Sequence, residues 1–350
     1  PGPTSTVLPP VPTLVTGGAG FIGGALVQRL LDDGCRVTIL DDLSTAAPDW
    51  RLALAGRDGW SLVHGGVEDP EAVDLALAGC ERVIHLAAST DIAGGQGHPE
   101  RDFTACVVGT QVLCTAMYRR GIQDLWYASS GVIYGWTGRR DTILAEGDGP
   151  YRPASHYAAA KLAGEAIISG FAHLYGWRAL AFRFGNTVGP RSDHGVVHDL
   201  VVKLLRDPGR LELLGDGRQA KPYIHIGDLV AGMRHAAGRF DDPFTVLNLG
   251  PRGTLSVDQV ADIVIEALDL DGAGVERRYT GGVQGGGGWI GDTPYVSFDT
   301  SAMERSGWRP SRDARAAVHE TALAIAAVYR DRGAPLLTAS ERRAHLITQP

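Results

Sequence analysis

The chain reads Thr13-Leu-Val-Thr-Gly-Gly-Ala-Gly-Phe-Ile-Gly23 near its N-terminus, where a short apolar strand pattern passes through glycines into a helical pattern over Phe21–Asp33. Each glycine suits a turn that cradles a dinucleotide: Gly17 permits a tight bend, Gly20 lets the backbone approach a pyrophosphate, and Gly23 allows close packing of helix on strand. The helix N-terminus adds free N–H groups and the positive end of the helix dipole. A glycine-rich string alone is weak evidence, but this one has the strand–loop–helix context that such a site requires.

The rest of the first half continues this alternation of strands and helices. The further strand candidates are Arg36–Leu40, Ser61–His64, Val83–Leu86, Leu125–Ala128 and Arg178–Phe184, and the helix candidates are Pro70–Ala78, Pro99–Arg120 and Tyr157–Tyr175. Strands that alternate with helices imply βαβ units, so the pattern predicts an α/β fold with a doubly wound parallel sheet of the Rossmann kind.

The predicted domain organisation has four parts. The proline-rich segment 1–12 is expected to be a disordered leader, and residues 333–350 a weakly patterned tail. Residues 13–186 with 223–250 form the predicted dinucleotide-binding domain. After Gly185 the rhythm becomes irregular, so residues 187–222 with 251–332 are expected to form a smaller α/β domain that binds the substrate.

Composition narrows the class of protein. The net charge of -7 gives no basic footprint for nucleic acid, and no apolar run is long enough to span a membrane. The four cysteines lie scattered in apolar stretches without the paired spacing of a metal site or a disulfide framework. We therefore expect no metal, and free thiols in a reducing cytoplasm.

Two further segments fit a bound dinucleotide. The second strand ends at Asp41, eighteen residues past Gly23, where a carboxylate can bind the adenosine ribose hydroxyls. A carboxylate there repels a 2′-phosphate, which favours NAD over NADP; the alternative is a solvated turn aspartate. The segment His85-Leu-Ala-Ala88 supplies small side chains where the backbone would pass the cofactor, although plain packing would explain it equally.

A candidate catalytic group lies further along the chain. In Tyr157-Ala-Ala-Ala-Lys161 the two polar side chains share one helix face, one turn apart. An ordinary tyrosine has a pKa of about 10, and we expect the ammonium, helped by an oxidised nicotinamide, to lower it so that the phenol can take a proton. Ser130 follows the fifth strand, where it could hold the reacting oxygen and share its proton with Tyr157; a cap or turn role is the alternative.

These motifs together carry a family resemblance. The chain resembles the NDP-sugar epimerase/dehydratase group of the extended short-chain dehydrogenases/reductases, most closely the UDP-glucose 4-epimerases, over about residues 13–330. Besides the aspartate that ends strand two, the motifs are TGGAGFIG (16–23), HLAA (85–88), ASSGVIYG (128–135), YAAAK (157–161), RFGNTVGPR (183–191), GDGRQAKPYIHIGD (215–228) and SGWRP (306–310).

The resemblance implies a role for each matching residue. Ser130, Tyr157 and Lys161 match the catalytic trio. Contacts to NAD are implied for Gly17, Gly20, Phe21, Ile22, Gly23, Asp41, Val67, Leu86, Ala87, Ala88, Tyr157 and Lys161. Contacts to the nucleotide sugar are implied for Ser130, Asn186, Gly195, Val196, Lys221 and Asp292; among these, Lys221 stands where many members place an arginine on the phosphate.

The implied reaction is an epimerisation at C4 of a nucleotide-activated hexose, of the UDP-glucose/UDP-galactose type. C4 is oxidised to a ketone while NAD takes the hydride, the keto-sugar turns in the pocket, and the hydride returns to its other face. A homodimer is also implied, through a four-helix contact of Pro99–Arg120 and Tyr157–Tyr175 from each copy.

Three departures from the family pattern concern binding residues. Gly66 replaces an aspartate that touches adenine and leaves only backbone contact, Cys106 replaces an asparagine, and Trp289 stands where relatives often carry an arginine for the diphosphate. Two competing functions remain at this point. A 4,6-dehydratase would carry Asp-Glu directly after the catalytic serine, where this chain has Gly131 and Val132; a non-catalytic NAD sensor would typically have lost the tyrosine or the lysine.

Overall fold

The computed structural model describes residues 9–46, 50–89, 97–149, 151–283, 286–332, 335–338 and 341. The strands are β1 (Thr13–Thr16), β2 (Val37–Asp41), β3 (Trp60–His64), β4 (Arg82–His85), β5 (Asp124–Ala128), β6 (Arg178–Phe184), β7 (Asn186–Val188), β8 (Arg210–Leu213), β9 (Ala220–Lys221), β10 (Tyr223–His225), β11 (Phe244–Leu249), β12 (Leu255–Ser256) and β13 (Glu276–Tyr279). The α-helices are α1 (Phe21–Asp32), α2 (Pro70–Ala76), α3 (Pro99–Asp102), α4 (Gly109–Arg120), α5 (His156–Tyr175), α6 (Val196–Arg206), α7 (Ile226–Ala237), α8 (Val257–Ala267), α9 (Ser301–Arg305) and α10 (Ala314–Arg332).

Seven parallel strands form the central sheet, in the order β11-β6-β5-β4-β1-β2-β3. The four residues of β1 are all buried, because helices cover both faces of the sheet. The strand order reverses between β1 and β4, and in open α/β sheets a ligand binds beyond the carboxyl ends of the strands at such a reversal. The predicted fold class is confirmed.

Separate apolar cores lie on the two faces of the sheet. Helices α1 and α7 pack on one face, where Leu26, Leu30 and Met233 are essentially inaccessible to solvent. Helices α2, α4 and α5 pack on the other face, around residues such as Leu113 and Ile168. Burying an aliphatic side chain of this size contributes about 1.5–3 kcal/mol, so these faces fix the sheet and therefore the edge that carries the site.

The seventh strand of the sheet, β11, was not among the strand candidates. It pairs in parallel with β6, so that Phe244 lies beside Ala179 and Leu249 beside Phe184. Its polar Thr245 and Asn248 interrupt the apolar run that marks the other strands, which is why the sequence pattern failed to predict it.

A smaller set of elements lies beyond the main sheet. Three two-stranded pairs, β7 with β10, β9 with β12 and β8 with β13, accompany helices α6, α8 and α10 around a third apolar core. The domain boundaries drawn from the sequence stay a prediction. Most of the expected leader and tail lies outside the described residues. No helix within the described ranges is both long and apolar enough to cross a membrane.

The segment predicted as one helix over Pro99–Arg120 contains a change of winding. The structure has α3, then a π-helix over Phe103–Val108, then α4. A Cβ at Gly109 would collide with Val67, so the glycine lets this helix pass close to the end of β3. A π-helical turn inside a helix often occurs at a functional site, and this one places Asp102 and Cys106 in the interior.

Candidate active site

The glycine loop after β1 has the shape of a phosphate cradle. Gly17 has φ 69°, and a Cβ there would lie 2.9 Å from the amide nitrogen of Ala87. A Cβ on Gly23 would collide with the carbonyl oxygen of Gly17. Helix α1 begins after Gly20 without a side-chain cap, so its first N–H groups remain for an anion. The loop also touches Ala87, which brings the predicted cofactor residues after β4 next to those after β1.

Asp41 at the end of β2 secures this loop. The residue is 8% exposed; its Oδ2 accepts a hydrogen bond from the Ala19 amide (2.9 Å) and its Oδ1 accepts one from the Leu43 amide (2.8 Å). Burial raises the pKa of this carboxyl, while the two backbone hydrogen bonds act in the opposite direction. A carboxylate oxygen can accept two hydrogen bonds, so each oxygen of Asp41 keeps a lone pair that could accept from a ribose hydroxyl.

We expect Asp41→Asn to weaken NAD binding about tenfold and to narrow the preference for NAD over NADP, because one acceptor and the negative charge that repels a 2′-phosphate are both lost. Calorimetric titration of nucleotide-free protein with each dinucleotide measures the ratio. Asp42→Asn is the matched control, since that neighbour is exposed and only caps Ser44. An unchanged NAD/NADP ratio in Asp41→Asn would exclude the ribose assignment.

A buried chain of hydrogen bonds behind the loop was not foreseen from the sequence. His85 lies between two hydroxyls, with Nδ1 2.8 Å from Thr16 Oγ1 and Nε2 3.0 Å from Thr110 Oγ1. Thr16 Oγ1 also accepts from the amides of Leu86 and Ala87. Burial, and secondarily the charge of Lys161, lower the pKa of His85 to about 3, so the imidazole is neutral and serves to join β1, β4 and α4.

The segment after β3 places a charged side chain over Gly66, the glycine whose backbone is expected to meet the adenine. Val67 is buried against Gly109, and the Glu68 carboxylate folds back over Gly66, where a Cβ would collide with it. The Glu68 side chain therefore occupies the space into which a side chain at position 66 would extend.

The structure brings Ser130, Tyr157 and Lys161 together at the carboxyl edge of β5. Lys161 is 1% exposed; its ammonium donates to the carbonyl of Ala128 at 2.7 Å and lies 5.8 Å from the Tyr157 ring centre. The Ser130 side chain accepts a hydrogen bond from the Val132 amide (3.4 Å), and it acts to lower the pKa of the neighbouring Tyr157 phenol. Ser155 caps α5 by accepting from the Ala158 amide (3.2 Å), which fixes Tyr157 in the first turn of that helix.

In the protein alone, burial outweighs the effect that the Lys161 ammonium is expected to have on the pKa of Tyr157. The pKa of Tyr157 is raised, first by burial and then by the nearby Cys106 and Asp102, and only the Ser130 side chain acts to lower it. Burial also lowers the pKa of Lys161. The depth of this pocket could not be read from spacing alone, and it outweighs the pairing within the helix.

The predicted substrate residues fall into two groups. Lys221 and Asp292 form an ion pair with Nζ and Oδ1 2.5 Å apart, and the ammonium also lies over the Trp289 ring. Asn186 begins β7. Its backbone N–H donates to the carbonyl of Pro222 (3.0 Å), the residue after Lys221. Gly195 and Val196 lie apart, at the start of α6, with Gly195 at φ 89° as its N-cap.

The space directly after Ser130 is closed to any side chain. A Cβ on Gly131 would collide with the Phe298 ring and would lie 3.4 Å from a methyl group of Val296. These two belong to a small apolar cluster with Ile133, Tyr134 and Leu144. The Phe298 ring therefore occupies the space that an acidic side chain at position 131, as expected in a 4,6-dehydratase, would need.

Fold and site together define a dinucleotide-binding α/β protein with a Ser–Tyr–Lys centre. Residues 13–250 match the family model described as the NAD dependent epimerase/dehydratase family. The chain belongs to the NAD dependent epimerase/dehydratase family, and its cofactor is NAD. The resemblance inferred from the motifs is confirmed.

Known members show how broad this family is. The chain is 34% identical to the UDP-glucose 4-epimerase of Mycolicibacterium smegmatis over 65% of this chain and 73% of that protein. It is 31% identical to a dTDP-glucose 4,6-dehydratase of Streptomyces griseus, over 75% and 80% respectively. The crystal structure of the UDP-glucose 4-epimerase of Thermus thermophilus in complex with NAD superposes with a TM-score of 0.77 at 28% identity, covering 89% of this chain and 98% of that one.

Proposed function

We propose that the protein epimerises a UDP-hexose at C4, with NAD bound throughout the cycle. The observation that carries the proposal is the Ser130–Tyr157–Lys161 cluster at the carboxyl edge of the sheet, together with the closed space at Gly131. The cluster suits removal of a proton from a sugar hydroxyl, whereas the closed space leaves no room directly after Ser130 for the acid that a 4,6-dehydratase carries there.

The residues around the loop after β1 fit NAD. Gly17, Gly20 and the start of α1 would hold the pyrophosphate, Asp41 the ribose, and Val67 the adenine. When bound, the cofactor accepts a hydride from the sugar and returns it. Tight packing of Gly23 against Gly17 keeps the loop in the shape that such binding needs.

The protein's own residues manage the proton at the reacting oxygen. In this proposal the Tyr157 phenol takes the proton from the 4-hydroxyl and later gives it back, while the Ser130 hydroxyl holds that oxygen in line. The raised pKa of Tyr157 makes the free pocket a poor base, and a nearby positive charge from the bound cofactor would lower it. Lys161 anchors the helix through Ala128 and supplies a further positive charge.

On the substrate side, Lys221, Asp292 and Asn186 would hold the diphosphate and its nucleoside, with Gly195 and Val196 near the base. Because Asp292 neutralises Lys221, an incoming phosphate has to share or replace that carboxylate. A lysine binds as a point charge rather than with the two-pronged geometry of an arginine, so its phosphate contact is less directional.

The same proposal includes a homodimer in the cytoplasm. Phe103, Tyr118 and Leu174 are large apolar side chains exposed on the π-helix, α4 and α5, with exposures of 57%, 51% and 76%, and helices that expose such side chains are candidates for a contact between copies. All four cysteines are free and buried, which suits a reducing compartment. Sedimentation equilibrium of the purified chain tests the dimer.

A panel of nucleotide sugars tests the reaction. We expect UDP-glucose and UDP-galactose to interconvert, as followed by NMR of the sugar anomeric protons, without loss of water by mass spectrometry. The matched incubation uses dTDP-glucose. Formation of a 4-keto-6-deoxy product there would overturn the epimerase assignment in favour of the dehydratase, the class represented by the Streptomyces griseus relative.

A further inference from the structure

A buried ion pair lies directly behind the candidate active site, and no step of the proposed reaction uses it. Arg183 of β6 is 2% exposed and Glu165 of α5 is 4% exposed. The guanidinium grips both carboxylate oxygens, with Nε donating to Oε1 at 2.9 Å and Nη2 donating to Oε2 at 2.6 Å. Burying two charges costs free energy that good geometry only offsets, so a buried pair of this quality calls for an explanation beyond stability.

The pair is joined to the strand that carries Ser130. The Ser129 hydroxyl donates to Glu165 Oε1, which already accepts from Arg183. Ser129 directly precedes Ser130, so one fixed carboxylate holds the backbone on which the reacting serine stands.

Helix α5 contacts the segment at the end of β5 once in each of three successive helical turns. Tyr157 lies beside Ser130, which acts to lower the pKa of its phenol. Lys161, four residues later, donates to the carbonyl of Ala128, and Glu165, four residues later again, accepts from the Ser129 hydroxyl. Residues four apart lie on one helix face, so the three contacts form a single row. We call this row of contacts the clasp.

Arg183 extends the clasp to the loop that follows the site. Its Nη1 donates to the carbonyl of Glu146 at 3.0 Å and to the Tyr151 hydroxyl at 3.2 Å, and it bonds to Tyr134 at 3.1 Å. The Tyr134 hydroxyl in turn donates to Asn248 Oδ1 of β11 at 2.8 Å. The wall around Ser130 and the catalytic helix therefore share one anchor.

We propose that Ser129, Glu165 and Arg183 are positioning residues that hold the Ser130 hydroxyl against the Tyr157 phenol through the clasp. They act through their neighbours and touch no reacting atom. This inference rests on the proposed function only for its kinetic effect, because the alignment of Ser130 with Tyr157 is a property of the protein whichever sugar binds.

Ser129→Ala is the variant that tests the clasp. Glu165→Gln would bury the Arg183 guanidinium beside a neutral amide, and a failure to fold would then hide any effect on position. Ser129→Ala removes one hydroxyl and leaves both hydrogen bonds of the ion pair in place. Thr321→Val is the matched control, because it also removes one buried hydroxyl. That hydroxyl donates to the carbonyl of Ala317 within α10, in the third apolar core described above.

We expect Ser129→Ala to lower kcat about tenfold, less than the ~100-fold that a misplacement of 1 Å can cause, while KM and NAD content change less than about twofold. The loosened Ser130 no longer favours the phenolate, so the acidic limb of the kcat–pH profile should move to higher pH. The other groups that act on Tyr157 are Asp102, Cys106 and Lys161, and the substitution changes none of them.

A second readout needs no turnover. With NAD bound and ring-13C-labelled tyrosine, the NMR signal of Tyr157, identified by its absence in Tyr157→Phe, should titrate at higher pH in Ser129→Ala than in wild type and Thr321→Val. An unchanged kcat profile and an unchanged titration in a folded Ser129→Ala protein would overturn the clasp. If the wild type epimerises nothing, the reaction proposal fails by itself, and the titration still decides between a clasp and simple packing.

Discussion

Tyr157→Phe is expected to lower kcat by about 10²–10⁴-fold, because in the proposed reaction it removes the group that takes and returns the proton at the reacting oxygen. The ring remains, so its packing against Ser130 and the Lys161 ammonium, 5.8 Å from the ring centre, should keep the fold. The measurement is the rate of UDP-hexose interconversion together with the absorbance of bound NAD after denaturation.

Tyr175→Phe is the control for this change, since it deletes a hydroxyl at the far end of the same helix, where the ring is 40% exposed. We expect full activity from it. Near-normal turnover in Tyr157→Phe, with NAD content equal to wild type, would show that another group is the base.

Gly23→Ala is expected to abolish NAD binding and to lower the free energy of unfolding by about 1–3 kcal/mol, the usual cost of overpacking. The new methyl would collide with the carbonyl oxygen of Gly17 and lie 2.7 Å from Gly18 Cα. Both neighbours are backbone, so no flexible side chain can move aside, and the cradle must widen. Urea denaturation and NAD content after gel filtration measure the two effects.

The next residue along α1 gives a control of opposite sign. A Cβ on Gly24 would meet only Arg191 at 3.7 Å and the Gly18 carbonyl at 3.9 Å, which are ordinary contact distances. Alanine is favoured over glycine in a helix by about 1 kcal/mol, so Gly24→Ala should keep NAD and unfold at a higher urea concentration. Equal NAD content in the two variants would refute the assignment of Gly23 as the packing glycine.

Much of the sheet could be predicted from sequence because parallel strands buried on both faces are apolar along most of their length. Strand β11 was not predicted because it contains a buried polar residue, Asn248, whose hydrogen-bond partners are distant in the sequence. They are the carbonyls of Leu144 and Asp299 and the Tyr134 hydroxyl. No local pattern reveals such partners.

The site divides in a similar way. Tyr157 and Lys161 could be proposed from sequence because a phenol and an ammonium one helical turn apart suit proton transfer, and Ser130 because it follows a strand. Glu165 and Arg183 were missed, although two signals were present: a carboxylate one turn beyond Lys161, and an arginine within the otherwise apolar end of β6. A charge inside a buried strand needs a partner, but only the packing of α5 on β6 tells which one.

In the proposed function, the ion pair of Lys221 with Asp292 has a consequence for how the nucleotide sugar would reach these residues. Seen from a distance, two opposite charges 2.5 Å apart cancel, and the protein around them carries a net charge of -7. An approaching polyanion is therefore not drawn in by a long-range field. Its capture begins only at contact, when a phosphate oxygen competes with the Asp292 carboxylate for the lysine's three N–H donors.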